Sequence, residues 1–269
     1  MSHAPFINTM PLKLHWASGR PNFGDWLSPA LCGLLSGRPV EHAPAQRCEL
    51  IAVGSILHRL RHRWWARRTH VWGTGFIEEL KPVSSRHHYH AVRGWRTAAQ
   101  LRGVEICCVG DPGLLASLLL PGYEKTERKF RLGLVPHYKD REHGLVKDLA
   151  TQLSGTTVLD VFAPPVEVLR RVAECEFILS SSLHGLIVAD SLGVPNAWME
   201  LSGGVHGSGF KFADYYSVFG LQHCAPVDLT GGLSVGKIGE WSRRCERPGL
   251  EELKGRLRAS FPFPAATAG

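Results

Sequence analysis

Residues 177 to 198 read FILSSSLHGLIVADSLGVPNAW, which sets Ser180, Ser181, Ser182 and His184 between two apolar runs. Hydroxyls and an imidazole in a core-like segment need a reason, because a buried polar group without a partner costs free energy. The pattern predicts a short strand over 176–179 and a helix over 183–192 that ends at Gly193 and Pro195. The three serines then fall at the strand-to-helix crossing, with His184 in the first helical turn. Free backbone N–H groups and the positive end of the helix dipole make such a crossing an anion site. The same residues also allow a plainer arrangement, in which a serine caps the helix and His184 bonds a carbonyl.

The elements that would hold this crossing repeat one design. LKLHW before NFGD, LIAV before GS, HVW before GTG, ICCV before GDPG and LGLV before PHY are apolar runs that stop at Gly, Asp, Ser or His. Helical spacing follows each of them, which predicts an α/β fold of buried parallel strands alternating with helices. In such sheets ligands sit beyond the carboxyl ends of the strands, so the polar residues after each run are the site candidates. The charged, turn-rich stretch PGYEKTERK at 121–129 marks a break between a first unit, 1–125, and a second, 126–230. In the remaining extension, 231–269, Leu250, Leu253, Leu257 and Phe261 recur at spacings of three and four and predict an amphipathic helix.

Composition narrows the function. The 269 residues, 44% hydrophobic and 20% charged, suit a soluble globular protein. Apolar runs such as LLASLLL at 114–120 fall far short of the roughly 20 residues a membrane-spanning helix needs. The first ten residues lack a secretory pattern, so the expected location is cytoplasmic. Seven cysteines without a C-x-x-C pair read as reduced thiols. His87, His88 and His90 in RHHYH invite a metal, but no second cluster has spacing to match and no metal is expected. G-x-G-x-x-G is absent, so a dinucleotide cofactor is not expected either.

The net charge of +7 is uneven: residues 1–125 hold 15 Lys and Arg against 8 Asp and Glu, whereas 126–269 hold 16 of each. The excess peaks in HRLRHRWWARRTH at 58–70, where Arg59, Arg61, Arg63, Arg67 and Arg68 surround Trp64 and Trp65 with no acid present. That mixture suits an anionic membrane surface or an anionic polymer. An exposed basic helix with a solvated face is the alternative. Nucleic acid is not an expected partner, since no nucleic-acid-binding motif accompanies the charge.

Eight motifs in order carry a resemblance over nearly the whole chain: NFGDWLSP, AVGSILH, VWGTGF, AVRGWRTAAQL, GDPGLL, LVPHY, SSSLHGLIVADSLGVP and FKFADYY. The chain resembles the polysaccharide pyruvyltransferases, and within them the bacterial exopolysaccharide ketalases of the xanthan and succinoglycan type. The resemblance implies two Rossmann-like domains facing a cleft, similar to the GT-B glycosyltransferases. It also implies transfer of pyruvate from phosphoenolpyruvate to two hydroxyls of one sugar, with no further cofactor. The acceptor would be an oligosaccharide or a lipid-linked saccharide at the inner face of the plasma membrane. One departure is visible: some members carry an arginine two residues before the motif histidine, where this chain has Ser182.

Phosphoenolpyruvate carries a phosphate and a carboxylate, so its site needs several donors and at least two cations. The resemblance assigns these to Arg93 and Arg96, to Lys211, and to Ser180, Ser181, Ser182 and His184, with Asn22 and Thr74 in neighbouring motifs. Gly24, Gly73 and Gly185 would let a ligand approach the backbone. The reaction puts a proton on the methylene carbon and removes one from the attacking hydroxyl. His184 is the candidate acid or phosphate clamp, with His137 as competitor, and Asp25 and Asp111 are candidate bases. Asp214 and Tyr215 would bind sugar hydroxyls or close the cleft. Structural alternatives stay open: an ion pair between Arg93 and an acid such as Asp111, a helix cap for Asp25, a turn for Asp111. Two other functions compete, a GT-B glycosyltransferase using a sugar nucleotide and a non-catalytic carbohydrate-binding module.

Overall fold

The structure, a computed structural model, describes residues 10–19, 22–201, 208–221 and 225–265. The readings made for residues 1–9 and for Cys224 lie outside the described residues; the other six cysteines are free thiols. The first half contributes strands β1 (Leu12–His15), β2 (Val40–His42), β3 (Leu50–Ile51), β4 (His70–Trp72), β5 (Val83–Ser84), β6 (His88–Ala91) and β7 (Leu101–Arg102). Five form a parallel sheet in the order β2-β1-β3-β4-β6, and β5 pairs with β7. The second half contributes β8 (Leu132–Val135), β9 (Thr156–Val158), β10 (Ile178–Ser180) and β11 (Asn196–Trp198), a parallel sheet in the order β11-β10-β8-β9.

Helix α1 (Phe23–Ser36) connects β1 to β2, and α2 (Trp95–Ala99) follows β6. The second sheet carries α3 (Gly144–Gln152), α4 (Pro165–Ala173) and α5 (Leu183–Ser191), followed by α6 (Ser208–Ser217), α7 (Val235–Arg243) and α8 (Leu250–Ala259). The expected strand at ICCV is not regular: Val109 makes only an isolated parallel bridge to Val92, just beyond β6. The edge strand of the first sheet is β6 itself, built from the histidine-rich HYHA with alternate residues Tyr89 and Ala91 buried. The apolar run at 114–120 becomes most of a 3-10 helix, Pro112–Leu119, packed between α1 and α5. One hydrophobic cluster joins the two sheets, with Leu14, Phe23 and Leu27 from the first half and Leu169, Ile178 and Leu186 from the second.

Two features of this topology position a site. In the first sheet the chain runs from β1 out to β2 and returns to β3 on the other side; in the second, β8 leads out to β9 and returns to β10. Each reversal leaves a crevice at the carboxyl ends of its central strands. The C-terminal helix α8 packs back on the first sheet, burying Leu253 and Leu257 beneath Gly110, while the Trp72 indole N–H donates to the Leu257 carbonyl at 3.1 Å. Among the described residues no helix is long and apolar enough to cross a membrane. The basic stretch is not a helix: beyond a 3-10 turn at Leu57–Arg59, residues 60–69 form a loop.

Candidate functional site

The two crevices share one cavity of about 270 Å3. Its wall is made by Asn22, Phe23 and Asp25 after β1, Ser55, Ile56, His58 and Arg59 after β3, His137, Tyr138 and Lys139 after β8, and Ser182, Leu183 and His184 after β10. Lys211 of α6 completes it. Helices α1 and α5 point their N-termini into the same space, and they touch there. An added Cβ on Gly24 would lie 2.2 Å from His184 Nδ1, so only glycine lets the imidazole rest on the α1 backbone.

Local sequence explains the geometry of both termini. Asn22 caps α1: its side-chain oxygen accepts the Asp25 backbone N–H at 3.1 Å, and its amide donates to Asp25 Oδ2 at 2.6 Å. The serines divide their work. Ser180 Oγ donates to the Val135 carbonyl at 2.7 Å and accepts the Ser182 N–H at 3.0 Å, while Ser181 Oγ accepts the His137 N–H at 2.8 Å and lies 2.9 Å from Asp140 Oδ2. Both tie β10 to β8. Ser182 is the N-cap residue of α5, makes no side-chain cap bond, and is the one of the three serines that lines the cavity. Gly185 is forced by packing, because a Cβ there would fall 2.3 Å from Ser180 Oγ.

The groups around the cavity carry shifted proton affinities that follow from burial and from one another's charges. Lys211 is nearly buried, at 8% exposure, and burial with Arg93 nearby lowers its ammonium pKa to about 8, against a smaller pull from Asp140. Burial and the neighbouring charges of Lys211, Arg93 and His137 push His184 down to about 3, and its Nε2 is a buried nitrogen without a partner. His137 is lowered to about 4 by burial and then by Lys211. Asp25 moves the other way: burial raises its carboxyl to about 6, opposed by the Asn22 bond and by Arg59. Neutral imidazoles, a crowded cation and an open helix terminus are what a bound dianion would reverse.

Several residues expected at the site are engaged elsewhere. Arg93 is fully buried; its Nε donates to Asp214 Oδ2 at 2.9 Å, and its other nitrogens donate to Ser55 Oγ and the Phe76 carbonyl. The acid it pairs with is thus Asp214, not Asp111, and its donors are used inside the protein. Asp214 also accepts from Thr97 N–H at 2.8 Å and Thr97 Oγ1 at 2.7 Å, fixing α6 to α2 rather than facing a sugar. Arg96 is exposed on α2, outside the cavity wall. Tyr215 is buried and donates to Asp190 Oδ2 at 2.5 Å, in a cluster with Arg247 and Asn196. Thr74 is buried and brackets the Gly54 carbonyl at 2.7 Å, and Gly73 is needed because a Cβ would strike Pro112 at 2.0 Å. Asp111 caps the 3-10 helix through Gly113 N–H at 2.9 Å, away from the cavity.

The structure supplies replacements that the motif reading missed. Arg59 and Lys139 line the cavity and stand at its exposed rim, beside buried Lys211. Lys139 follows the end of β8 by four residues, which is a usable signal, whereas Arg59 comes eight residues after β3 at the head of the tryptophan-rich basic stretch, where its position is hidden. The histidine group on β4 and β6 stacks, His70 Nδ1 lying 2.8 Å from His90 Nε2, and among the described residues no cluster of His, Cys, Asp or Glu could hold a metal ion.

Comparison with known proteins gives the same region its context. The sequence pattern of the family described as polysaccharide pyruvyl transferase matches residues 22–203, from the α1 cap past β11. Uncharacterized protein L143 of Acanthamoeba polyphaga mimivirus is 31% identical over 164 residues, 58% of this chain and 56% of that protein. Succinoglycan biosynthesis protein ExoV of Rhizobium meliloti (strain 1021) is 28% identical over 269 residues, 94% of this chain and 82% of that protein. The chain thus spans about half of the first relative and most of the second.

Proposed function

The chain belongs to the polysaccharide pyruvyl transferase family, and on that premise we propose that it moves pyruvate from phosphoenolpyruvate onto two hydroxyls of one sugar in an exopolysaccharide or its lipid-linked precursor. The products are a cyclic ketal and inorganic phosphate. The observation that carries this reading is the pair of facing helix N-termini, α1 and α5, with Lys211, Arg59 and Lys139 around a cavity that also holds Asp25. A volume of about 270 Å3 lies at the small end of ligand sites. It suits a three-carbon phosphoester better than a nucleotide diphosphosugar.

In this reading the phosphate meets the α5 N-terminus, Ser182 and Lys211, and the carboxylate meets Arg59 or Lys139. His184, neutral in the protein alone, becomes the cation that clamps phosphate once the dianion offsets Lys211. The His184 imidazolium gives its proton to the methylene carbon, making C2 electrophilic, and a sugar hydroxyl attacks it. Asp25, with its carboxyl near 6, is the group suited to take that hydroxyl's proton. The C2–O bond to phosphate then breaks as the second hydroxyl closes the ketal, its proton passing to the departing phosphate, which leaves as hydrogen phosphate, while the proton held by Asp25 restores that given up by His184. The two sheets are read as Rossmann-like domains, 1–125 and 126–230, in a GT-B-like arrangement, with 231–269 as an extension, working on the cytoplasmic side. The test is incubation of carbon-13 phosphoenolpyruvate with oligosaccharide acceptors. A ketal methyl resonance appearing in step with phosphate supports the reading, and hydrolysis of a sugar nucleotide in its place overturns it.

A further inference from the structure

The loop at 60–69 makes no contribution to the cavity wall, yet it is the most unusual surface of the molecule. Trp64 is 76% exposed and Trp65 58%. Arg61, Arg63, Arg67 and Arg68 are exposed around them, and none forms a salt bridge among the described residues. Leaving two indoles in water forfeits burial that would otherwise stabilise the fold. An exposed aromatic pair ringed by cations therefore points to a partner.

The loop is held rather than slack. His87 Nδ1 accepts the Thr69 N–H at 3.1 Å, so its proton sits on Nε2 and donates to the Arg61 carbonyl at 3.2 Å. Arg86 donates to the Trp64 carbonyl at 3.2 Å, and Arg67 to the Arg47 carbonyl at 3.4 Å. Arg63 lies over the Trp65 ring at 5.1 Å. Trp65 also lines a hollow of about 190 Å3, whose polar wall is Arg61, Arg67, His87 and Gln46 and whose apolar wall is Ala45, Leu60 and Ala66. Exposed indoles beside a hollow that carries two guanidinium groups match the two parts of a lipid, its interfacial glycerol region and its phosphate.

We propose that the Trp64–Trp65 loop docks this protein on anionic bilayers, with a lipid headgroup phosphate seated between Arg61 and Arg67. An acidic polysaccharide fits less well, because the two indoles meet edge to face at 86° and offer no flat platform for sugar rings. Arg47, Thr69 and His87, which the loop touches, all precede their strands. The docking surface therefore lies at the amino-terminal edge of the first sheet, opposite the edge where the cavity opens. Lipid binding and donor binding are separable for that reason, and this inference stands or falls independently of the proposed reaction.

The test is flotation of the full chain with vesicles of phosphatidylcholine alone and of phosphatidylcholine mixed with phosphatidylglycerol. Binding should require phosphatidylglycerol, weaken at high salt, and blue-shift the tryptophan emission. Arg61→Gln and Arg67→Gln should each lower partitioning about fivefold, and Trp64→Ser with Trp65→Ser should abolish the emission shift. Phosphoenolpyruvate titrations and melting curves of these variants should match those of the parent, which separates lost docking from lost folding. Binding that ignores phosphatidylglycerol, or that survives all four substitutions, overturns the proposal. So does binding of soluble polygalacturonate through the same residues without flotation.

Discussion

His184 lies directly on the backbone of Gly24, so close that a methyl group there would sit 2.2 Å from Nδ1. This contact joins the N-termini of α1 and α5 and so holds the two halves of the proposed donor site at a fixed separation. Gly24→Ala should therefore weaken phosphoenolpyruvate binding at least tenfold and cost about 1–3 kcal/mol of stability, the usual range for overpacking. Adding His184→Ala removes the obstacle. A double-mutant cycle by urea denaturation should recover most of the lost stability, and additive losses would show that the contact is not the cause.

Arg93 and Arg59 should separate cleanly. Arg93→Ala leaves Asp214 as an unpaired buried carboxylate, and losses of about 3–5 kcal/mol are typical of that event. Its effect is expected in the denaturation midpoint. Arg59→Ala should leave the midpoint nearly unchanged and weaken donor binding roughly tenfold, the scale of one charge-assisted hydrogen bond. Equal melting losses in both variants would count against this division.

Proton uptake should accompany donor binding. With burial and Lys211 holding His184 near 3 and His137 near 4, both imidazoles are neutral at pH 7 in the protein alone. A phosphate dianion beside them raises their affinity for protons. Calorimetry of phosphoenolpyruvate in two buffers of different ionisation heat should show net uptake, and His184→Ala should lose most of it. Binding without any uptake would remove His184 as the phosphate clamp.

Stability against pH has a signature at Asp111. Burial raises its carboxyl from 3.8 unfolded to about 6 folded, partly offset by the Gly113 N–H and Arg93, and its Oδ2 has no partner. The folded state thus holds this proton more tightly than the unfolded one. The resulting stabilisation is complete below about 3.8 and is lost as pH rises through 6, a span of about 3 kcal/mol. Asp111→Asn cannot titrate, so the stability of the parent relative to this variant should fall across that window and level off above it. A constant difference from pH 4 to 7 would contradict the assignment.

Much of the site was legible because it obeys a rule of position. SSSLHG was readable as a strand-to-helix crossing, and NFGD and VPHY as strand ends, since buried β-branched and leucine runs stop there. The partners of individual side chains were not legible. Arg93 lies 121 positions from Asp214, and Tyr215 meets Asp190 on another helix, so motif membership marked these residues without telling scaffold from site. β6 was obscured because histidines occupy its exposed and half-buried positions, where a polar alternation reads as ligand spacing. ICCV was apolar enough for a strand, yet Cys107 is exposed and only Val109 finds a pairing partner. Arg59 was assigned to the basic stretch by charge, although the turn at Leu57–Arg59 sends it to the cavity and the rest of the loop to the opposite edge.

The proposed reaction needs the cavity between α1 and α5 to bind phosphoenolpyruvate. Calorimetric titration of phosphoenolpyruvate, with a uridine diphosphosugar in parallel, into the parent, Lys211→Ala and Arg59→Ala measures this without any acceptor. Phosphoenolpyruvate should bind saturably and weaken about 10- to 100-fold in Lys211→Ala, less in Arg59→Ala, and the sugar nucleotide should not bind. Sugar-nucleotide binding, or phosphoenolpyruvate binding indifferent to Lys211, would contradict the proposed reaction.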